Sequence, residues 1–278
     1  MSVFRQGSSA LITGGASGIG LAVAQHCLSC SMRVTVVDNN QATLDLAQQR
    51  LKGDVRCVRA DVSDASAWDS LREKTGEVDF LMLNAGRAVK GTWGDDTYFK
   101  QILDTNLYGV INGLNTYVPD FQKRGEGEGE REKPRAIVIT GSKQGITNPP
   151  GNAAYNASKA AVKALAEHLS FDLKDTKTNV HLLVPGWTFT GMSGNVPGQE
   201  AEKPEGAWSP EQVKDYMVRK MGEGKFYILC PDNDVSEETD KKRMLWSVGD
   251  VVNGRPPLTR WRPEFKEEAE EWMAKQEV

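Results

Sequence analysis

The sequence predicts an α/β fold: a doubly wound, mostly parallel seven-stranded sheet with helices on both faces. Three observations predict it. Strand-length apolar runs alternate with longer segments of helical period, which is the pattern of βαβ units. The strand runs are apolar at consecutive positions, as a parallel sheet covered on both sides requires. And the first strand feeds a glycine-rich turn that opens directly into a helix.

Taken in order, residues 9–13 form a first strand, and a helix with Ile19, Leu21, Val23, Ala24 and Leu28 on its packing side runs to about Cys30. A β-branched second strand over 33–37 ends at Asp38, and a helix over 41–52 precedes a third strand at 55–60. A helix at 65–75 leads to a fourth strand at 78–83, which ends in Asn84, Ala85 and Gly86. One long helix is expected over 98–124, then a fifth strand at 135–140, a second long helix at 153–174 and a sixth strand at 179–184. A helix at 210–221 and a seventh strand at 225–229 complete the alternation. The charged stretch 123–135 reads as a solvated surface loop, since runs of charge are usually hydrated. No linker interrupts the pattern, so the chain reads as one domain over 1–278, with a core at about 5–231 and a C-terminal extension at about 232–278. Trp246, Trp261 and Trp272 imply that the extension packs on the body or on a neighbouring subunit.

Bulk composition excludes several classes of function. The 278 residues carry a net charge of −4, with no clustered basic run of the kind that binds nucleic acid by releasing counterions. No apolar run is long enough to span a membrane, and the N-terminus lacks the pattern of a signal peptide. Cys27, Cys30, Cys57 and Cys230 form no disulfide framework, so a reducing, cytoplasmic setting is expected. Cys27 and Cys30 have no second pair at ligand spacing, and His26, His168 and His181 are scattered; no metal site is expected.

The chemistry begins at the glycine turn. Gly14, Gly18 and Gly20, with Ser17 and Ile19, sit between a strand and a helix, where the backbone can approach a pyrophosphate and free N–H groups point at it. This is a Rossmann-type arrangement. Asp38, at the end of the next strand, can accept from both hydroxyls of an adenosine ribose and would repel a 2′-phosphate. No lysine or arginine in the turn compensates, so NAD is preferred over NADP. Downstream, Tyr155 and Lys159 lie at i and i+4, on one face of a helix. An ammonium beside a phenol favours the phenolate and brings its pKa towards neutrality. Ser142 follows the fifth strand, where its hydroxyl can meet the same substrate oxygen.

With these motifs assembled, the chain resembles the short-chain dehydrogenase/reductase family in its compact, NAD-preferring form, through at least Leu229. TGGASGIG at 13–20 is similar to the family's cofactor loop, Asp38 to its NAD-selecting acid, and Asp61-Val62 to the pair bordering the adenine. Asn84-Ala85-Gly86 matches a family motif whose first asparagine is here Leu83, and Asn106 matches an asparagine in the middle of the long fourth helix. Pro185-Gly186 with Thr188 and Thr190 is similar to the segment that holds the nicotinamide carboxamide.

The resemblance implies an NAD(H)-dependent oxidoreductase that interconverts a secondary alcohol and a ketone. Tyr155 would be general acid/base, and Lys159 would hold the nicotinamide ribose and depress the tyrosine pKa. Ser142 would orient the substrate oxygen, and Asn106 would hold a water in a proton relay. A homodimer or homotetramer, formed through the two long helices, is also implied. The alternatives are a nucleotide-sensing module and a non-redox enzyme on the same scaffold, because fold alone does not fix function. Lys143 and Trp187 depart from the family pattern; Lys143 is expected to reach towards substrate or solvent, and Trp187 to wall the nicotinamide pocket. The glycine- and proline-rich stretch 191–210 is expected to form a mobile lid over the substrate, and Met192, Trp208 and the aromatic tail point to an apolar or aromatic one.

Overall fold

Valine, isoleucine and leucine dominate the short apolar runs, and all seven runs pair as parallel strands: β1 (Ser9–Thr13), β2 (Arg33–Asp38), β3 (Val55–Arg59), β4 (Phe80–Leu83), β5 (Arg135–Thr140), β6 (Thr178–Val184) and β7 (Tyr227–Leu229). The computed structural model describes residues 2–123, 133–195, 197–199 and 201–278. Most of the expected charged loop at 123–135 lies outside the described residues. Strand order is β3-β2-β1-β4-β5-β6-β7, so winding reverses between β1 and β4. In an open parallel sheet, a crevice at such a reversal, beyond the carboxyl ends of the strands, is where ligands bind.

Alternating strand residues feed two separate cores. On one face Ile12, Val34, Val36, Met82 and Leu183 pack against α1 (Gly18–Ser29), α2 (Gln41–Arg50) and the later helix Pro210–Gly222. On the other, Leu11, Val37, Leu81, Ile139 and Leu182 pack against α3 (Ala65–Thr75) and the helices Gly109–Gln122 and Ala153–Asp172. Each fully buried large aliphatic or aromatic side chain contributes about 1.5–3 kcal/mol.

Three expectations need correction. The helix expected over 98–124 is three pieces: α4 (Tyr98–Leu103), a π-helical turn (Asp104–Tyr108) and α5 (Gly109–Gln122). Its apolar spacing continues through the turn, so periodicity does not register the extra backbone residue. β3 is an edge strand and is not apolar on both faces: Arg56 and Arg59 are exposed. Charged side chains there discourage edge-to-edge pairing. A short helix, α6 (Gln144–Thr147), stands between β5 and α7 (Ala153–Asp172), too brief to leave a helical pattern. In the C-terminal extension Trp246 is buried within the chain, whereas Trp261 is 41% exposed.

After β7 the chain forms α9 (Glu237–Val252) and α10 (Lys266–Ala274); α8 is Pro210–Gly222. The two last helices share a small core of their own. Trp246 is fully buried, donates Nε1–H to Thr259 Oγ1 at 2.9 Å, and meets Trp272 edge-on with centroids 5.5 Å apart. Asp250 accepts from the Thr259 amide at 3.0 Å and from Arg255 Nε at 3.0 Å, closing the turn between them.

Trp68 anchors the second core. It is 1% exposed, donates to the Val62 carbonyl at 2.9 Å and lies edge-on to Tyr117. Trp68→Ala should therefore cost about 3–5 kcal/mol, read as a lowered urea midpoint. A loss within about 0.5 kcal/mol, the range typical of surface substitutions, would show that this core closes without it.

Candidate active site

Three strand ends meet at the crevice, and one asparagine joins them. Thr13 ends β1, Asn84 follows β4 and Thr140 ends β5. The Thr13 hydroxyl accepts from the amides of Asn84 (2.9 Å) and Ala85 (3.1 Å). Asn84 Nδ2 donates to the carbonyls of Thr13 (3.2 Å) and Gly14 (3.3 Å), and its Oδ1 accepts from the Thr140 hydroxyl (3.1 Å). The glycine turn is thus moulded from the sheet side.

A Cβ on Gly20 would overlap the Gly14 carbonyl oxygen, so only glycine lets the turn close on itself. Gly18 has φ +50°, and Thr190 lies 3.1 Å from where its Cβ would be. The stretch after β6 therefore rests on the phosphate-loop side. Farther along, a Cβ on Gly198 would lie 3.4 Å from Leu46 Cδ1 on α2, so part of the 191–210 stretch runs near α2. Val196 and Glu200 of that stretch lie outside the described residues. Ser17 precedes α1 without capping it by its side chain, which leaves the first helical amides as donors for an anion.

Asp38 ends β2 and is half-buried. Burial raises its pKa, opposed by the amides of Asn40, Ala16 and Asn39. Sequence reasoning missed its neighbour. Arg59 stands opposite Asp38 in the β2–β3 register, and its Nε donates to the Asn39 carbonyl at 3.2 Å. A cation therefore flanks the acid from the next strand, a relation visible only once the strands pair. Asp61 is exposed and accepts from the Ser63 amide (2.9 Å) and hydroxyl (2.7 Å), whereas Val62 is buried.

Tyr155 and Lys159 do share a face of α7, with Lys159 Nζ 5.7 Å from the phenol ring centre. Burial raises the Tyr155 pKa, and a hydrogen bond with Ser142 works against it. The expected depression by Lys159 is not what dominates here. The ammonium donates to the Thr140 carbonyl at 2.7 Å, and burial lowers its own pKa to about 8. Ser142 Oγ accepts from the Gln144 amide at 3.2 Å, which leaves its proton available to the phenol or to a substrate oxygen.

Asn106 lies in the π-helical turn, fully buried. Its Oδ1 accepts from the Arg87 amide (2.8 Å), while Nδ2 donates to the Arg87 carbonyl (3.0 Å) and to Ser158 Oγ (3.3 Å). The side chain is thereby committed to holding the chain beyond Gly86. Gly86 stands between Asn106 and Lys159: a Cβ there would make ordinary contact with Asn106 Oδ1 at 3.4 Å and Lys159 Nζ at 3.8 Å. π-helical turns recur at functional sites.

Pro185 and Gly186 follow β6, and Thr188 donates its hydroxyl to the Gly186 carbonyl at 3.1 Å. Thr190 and Ser193 form a reciprocal cap on the short turn Gly191–Ser193. Trp187 is 46% exposed, with its amide bound to Asp232 at 3.0 Å. Lys143 does not reach substrate or solvent as expected. It is buried in an ion pair with Asp240 (2.5 Å) and Asp232 (3.3 Å), because those carboxylates, remote in sequence, offer a charged alternative to water. Among the described residues there is no cluster of histidine, cysteine and acidic groups suited to a metal ion, and no helix long and apolar enough to cross a membrane.

Comparison with known proteins bears on the family and the fold. The sequence model of the short chain dehydrogenases matches residues 8–201. An NADP-dependent (R)-specific alcohol dehydrogenase of Lentilactobacillus kefiri is 30% identical over 205 residues, 70% of this chain and 79% of that protein. A 3beta-hydroxysteroid dehydrogenase 2 of Eggerthella lenta is 31% identical over 196 residues, 67% of this chain and 73% of that protein. Among solved structures, a short chain dehydrogenase/reductase from Burkholderia phymatum in complex with NAD superposes with a TM-score of 0.75 at 25% identity, covering 92% of this chain and 98% of that one.

Lys159 generates a pH signature. Its pKa is about 8 in the folded chain against 10.5 for a free lysine, so the unfolded state holds more protons between those values and stability rises with pH across that window. The penalty for burying the charge is full below pH 8 and relieved above 10.5. In urea melts at pH 7 and pH 10, wild type should gain stability relative to Lys159→Met. Equal pH dependence of the two proteins would show that the ammonium is not buried at a cost.

Proposed function

The chain belongs to the short-chain dehydrogenase/reductase family of oxidoreductases, and on that premise we propose that it interconverts a secondary alcohol and a ketone using NAD(H). The observation that carries this reading is the meeting of Ser142, Tyr155 and Lys159 beside a glycine turn that only a bare backbone can form. The same glycine turn fits the crevice to a dinucleotide. Gly14, Ser17, Gly18, Ile19 and Gly20 would hold the pyrophosphate, Asp38 the adenosine ribose, and Asp61 and Val62 the adenine edge. Asn84, Ala85 and Gly86 would line the middle, with Pro185, Gly186, Thr188 and Thr190 at the nicotinamide. When bound, the cofactor supplies or accepts the hydride.

The protein's share is proton transfer and alignment. A phenol whose pKa is raised by burial is a neutral acid at physiological pH, suited to donating a proton to a ketone oxygen as it becomes an alkoxide. Ser142 donates a second hydrogen bond to the same oxygen. Lys159, its pKa lowered by burial to about 8, replaces the proton that Tyr155 gives up. Asn106 keeps the Gly86–Arg87 backbone in register with Lys159, and we assign it a place in the proton relay. In alcohol oxidation the steps reverse.

Asp38 supports NAD over NADP, while Arg59 beside Asn39 makes the discrimination smaller than the acid alone would give. Trp187 and Met192, exposed near the nicotinamide end, favour an apolar or aromatic substrate. We further read the chain as one domain, placed in the cytoplasm on the strength of its free cysteines, and assembled as a homodimer or homotetramer.

The test is NADH oxidation with acetophenone, cyclohexanone and a 3-ketosteroid. Tyr155→Phe should lower kcat by about 10²–10⁴ while NADH still binds. Retained turnover in that variant would remove Tyr155 as the acid. Asp38→Ala should narrow the gap between NADH and NADPH affinity by about tenfold, measured by calorimetric titration. An unchanged gap would place cofactor selection elsewhere.

A further inference from the structure

The residue after the catalytic serine bears a buried charge that the proposed chemistry does not use. Lys143 is 14% exposed, and its ammonium lies 2.5 Å from Asp240 and 3.3 Å from Asp232, whose side chains are 2% and 7% exposed. Burying such a group costs several kcal/mol per ion, and apolar replacements of buried ion pairs are often neutral or stabilising. Stability is therefore a poor account of its presence. What the cluster does is join four segments.

Through its backbone, Lys143 opens α6: its carbonyl accepts from the amides of Ile146 and Thr147 and from the Thr147 hydroxyl. α6 is wedged against the general acid's partner, because a Cβ on Gly145 would lie 2.5 Å from the Lys159 carbonyl carbon. Asp232 Oδ2 also accepts from the Trp187 amide at 3.0 Å, and its Oδ1 from the amides of Asp234 (3.1 Å) and Val235 (2.8 Å). Gly186 is trapped between the charges: its Cβ would lie 2.6 Å from Asp232 Oδ2 and 2.8 Å from Lys143 Nζ. Asp240 comes from α9, in the C-terminal extension, where Arg243 and Arg260 also face it.

We propose that Lys143 is a positioning residue: the Lys143–Asp232–Asp240 cluster locks the Ser142 turn, the Gly186–Trp187 turn and α9 into one geometry, so that the C-terminal extension sets the alignment of substrate oxygen with nicotinamide. This rests on the oxidoreductase reading above. Gly186 borders the nicotinamide, but the glycine turn and Asp38, which would hold the pyrophosphate and the adenosine ribose, lie outside the cluster, so most of the dinucleotide's affinity does not pass through it.

The experiment compares wild type, Lys143→Met and the double variant Lys143→Met/Asp240→Asn, using NADH and the ketone of the panel that wild type reduces fastest. Misplacement of about 1 Å in a reacting group can cost about a hundredfold in rate, so Lys143→Met should lose about ten- to a hundredfold in kcat. The Kd for NADH should stay within about threefold, since loss confined to kcat marks alignment rather than uniform binding. The double variant removes the unpaired carboxylate at Asp240, so its Tm should recover towards wild type while kcat stays low. Recovery of kcat together with Tm, or a single variant within about threefold of wild-type kcat, overturns the proposal. Amide exchange at Gly145 and Trp187 gives a readout without turnover. It should quicken in Lys143→Met, and unchanged exchange also overturns the proposal. If wild type reduces no ketone, the oxidoreductase reading falls, and the exchange result alone decides whether the cluster holds the two turns.

Discussion

The hydrogen-bonded chain from Thr13 through Asn84 to Thr140 is the interaction on which the rest of the site depends. Parallel pairing delivers the carboxyl ends of β1, β4 and β5 to one edge, but pairing alone does not fix how the loops leave it. Asn84 does so by satisfying both carbonyls at the start of the glycine turn and the hydroxyl at the end of β5. A buried polar group is costly unless paired, so each partner holds the others in place. The phosphate turn lies on one side of this seam. On the other, the Thr140 carbonyl receives the Lys159 ammonium.

Burial governs the acid–base groups more than their mutual charge does. Tyr155 is held above the ordinary phenol range and Lys159 below the ordinary ammonium range, both because low-dielectric surroundings favour the neutral forms. Shifts of opposite direction move apart two groups whose ordinary pKa values nearly coincide, which makes the Lys159 ammonium the stronger acid and lets a proton pass from it towards a Tyr155 phenolate. Ser142 moderates the effect on Tyr155 by hydrogen bonding to it.

The C-terminal extension enters the same network. Its small core around Trp246, Thr259 and Trp272 is built without the sheet, and it touches the site through charge, at Asp240. A hydrophobic contact of similar area would tolerate sliding. An ammonium between two carboxylates has a geometry to satisfy, and here that geometry includes the backbone of Gly186 and Trp187.

The seven strands, their order of appearance and the helix bearing Tyr155 and Lys159 were legible in the sequence because each depends on local periodicity and on turn chemistry a few residues long. Ser9–Thr13, Ala65–Thr75 and Arg135–Thr140 fall where the pattern puts them. The π-helical turn at Asn106 was not legible, since an added backbone residue leaves the apolar spacing nearly unchanged. Neither was Arg59 beside Asp38, nor the burial of Lys143, because each partner is brought by a different strand or helix. The sequence by itself determined the α/β class, the family and the residue types available for hydride-transfer chemistry. Only the tertiary structure decided which charges are buried, which carboxylate meets which cation and in which direction burial moves each pKa. Those quantities depend on distances between segments far apart in the chain, and on the water that packing excludes.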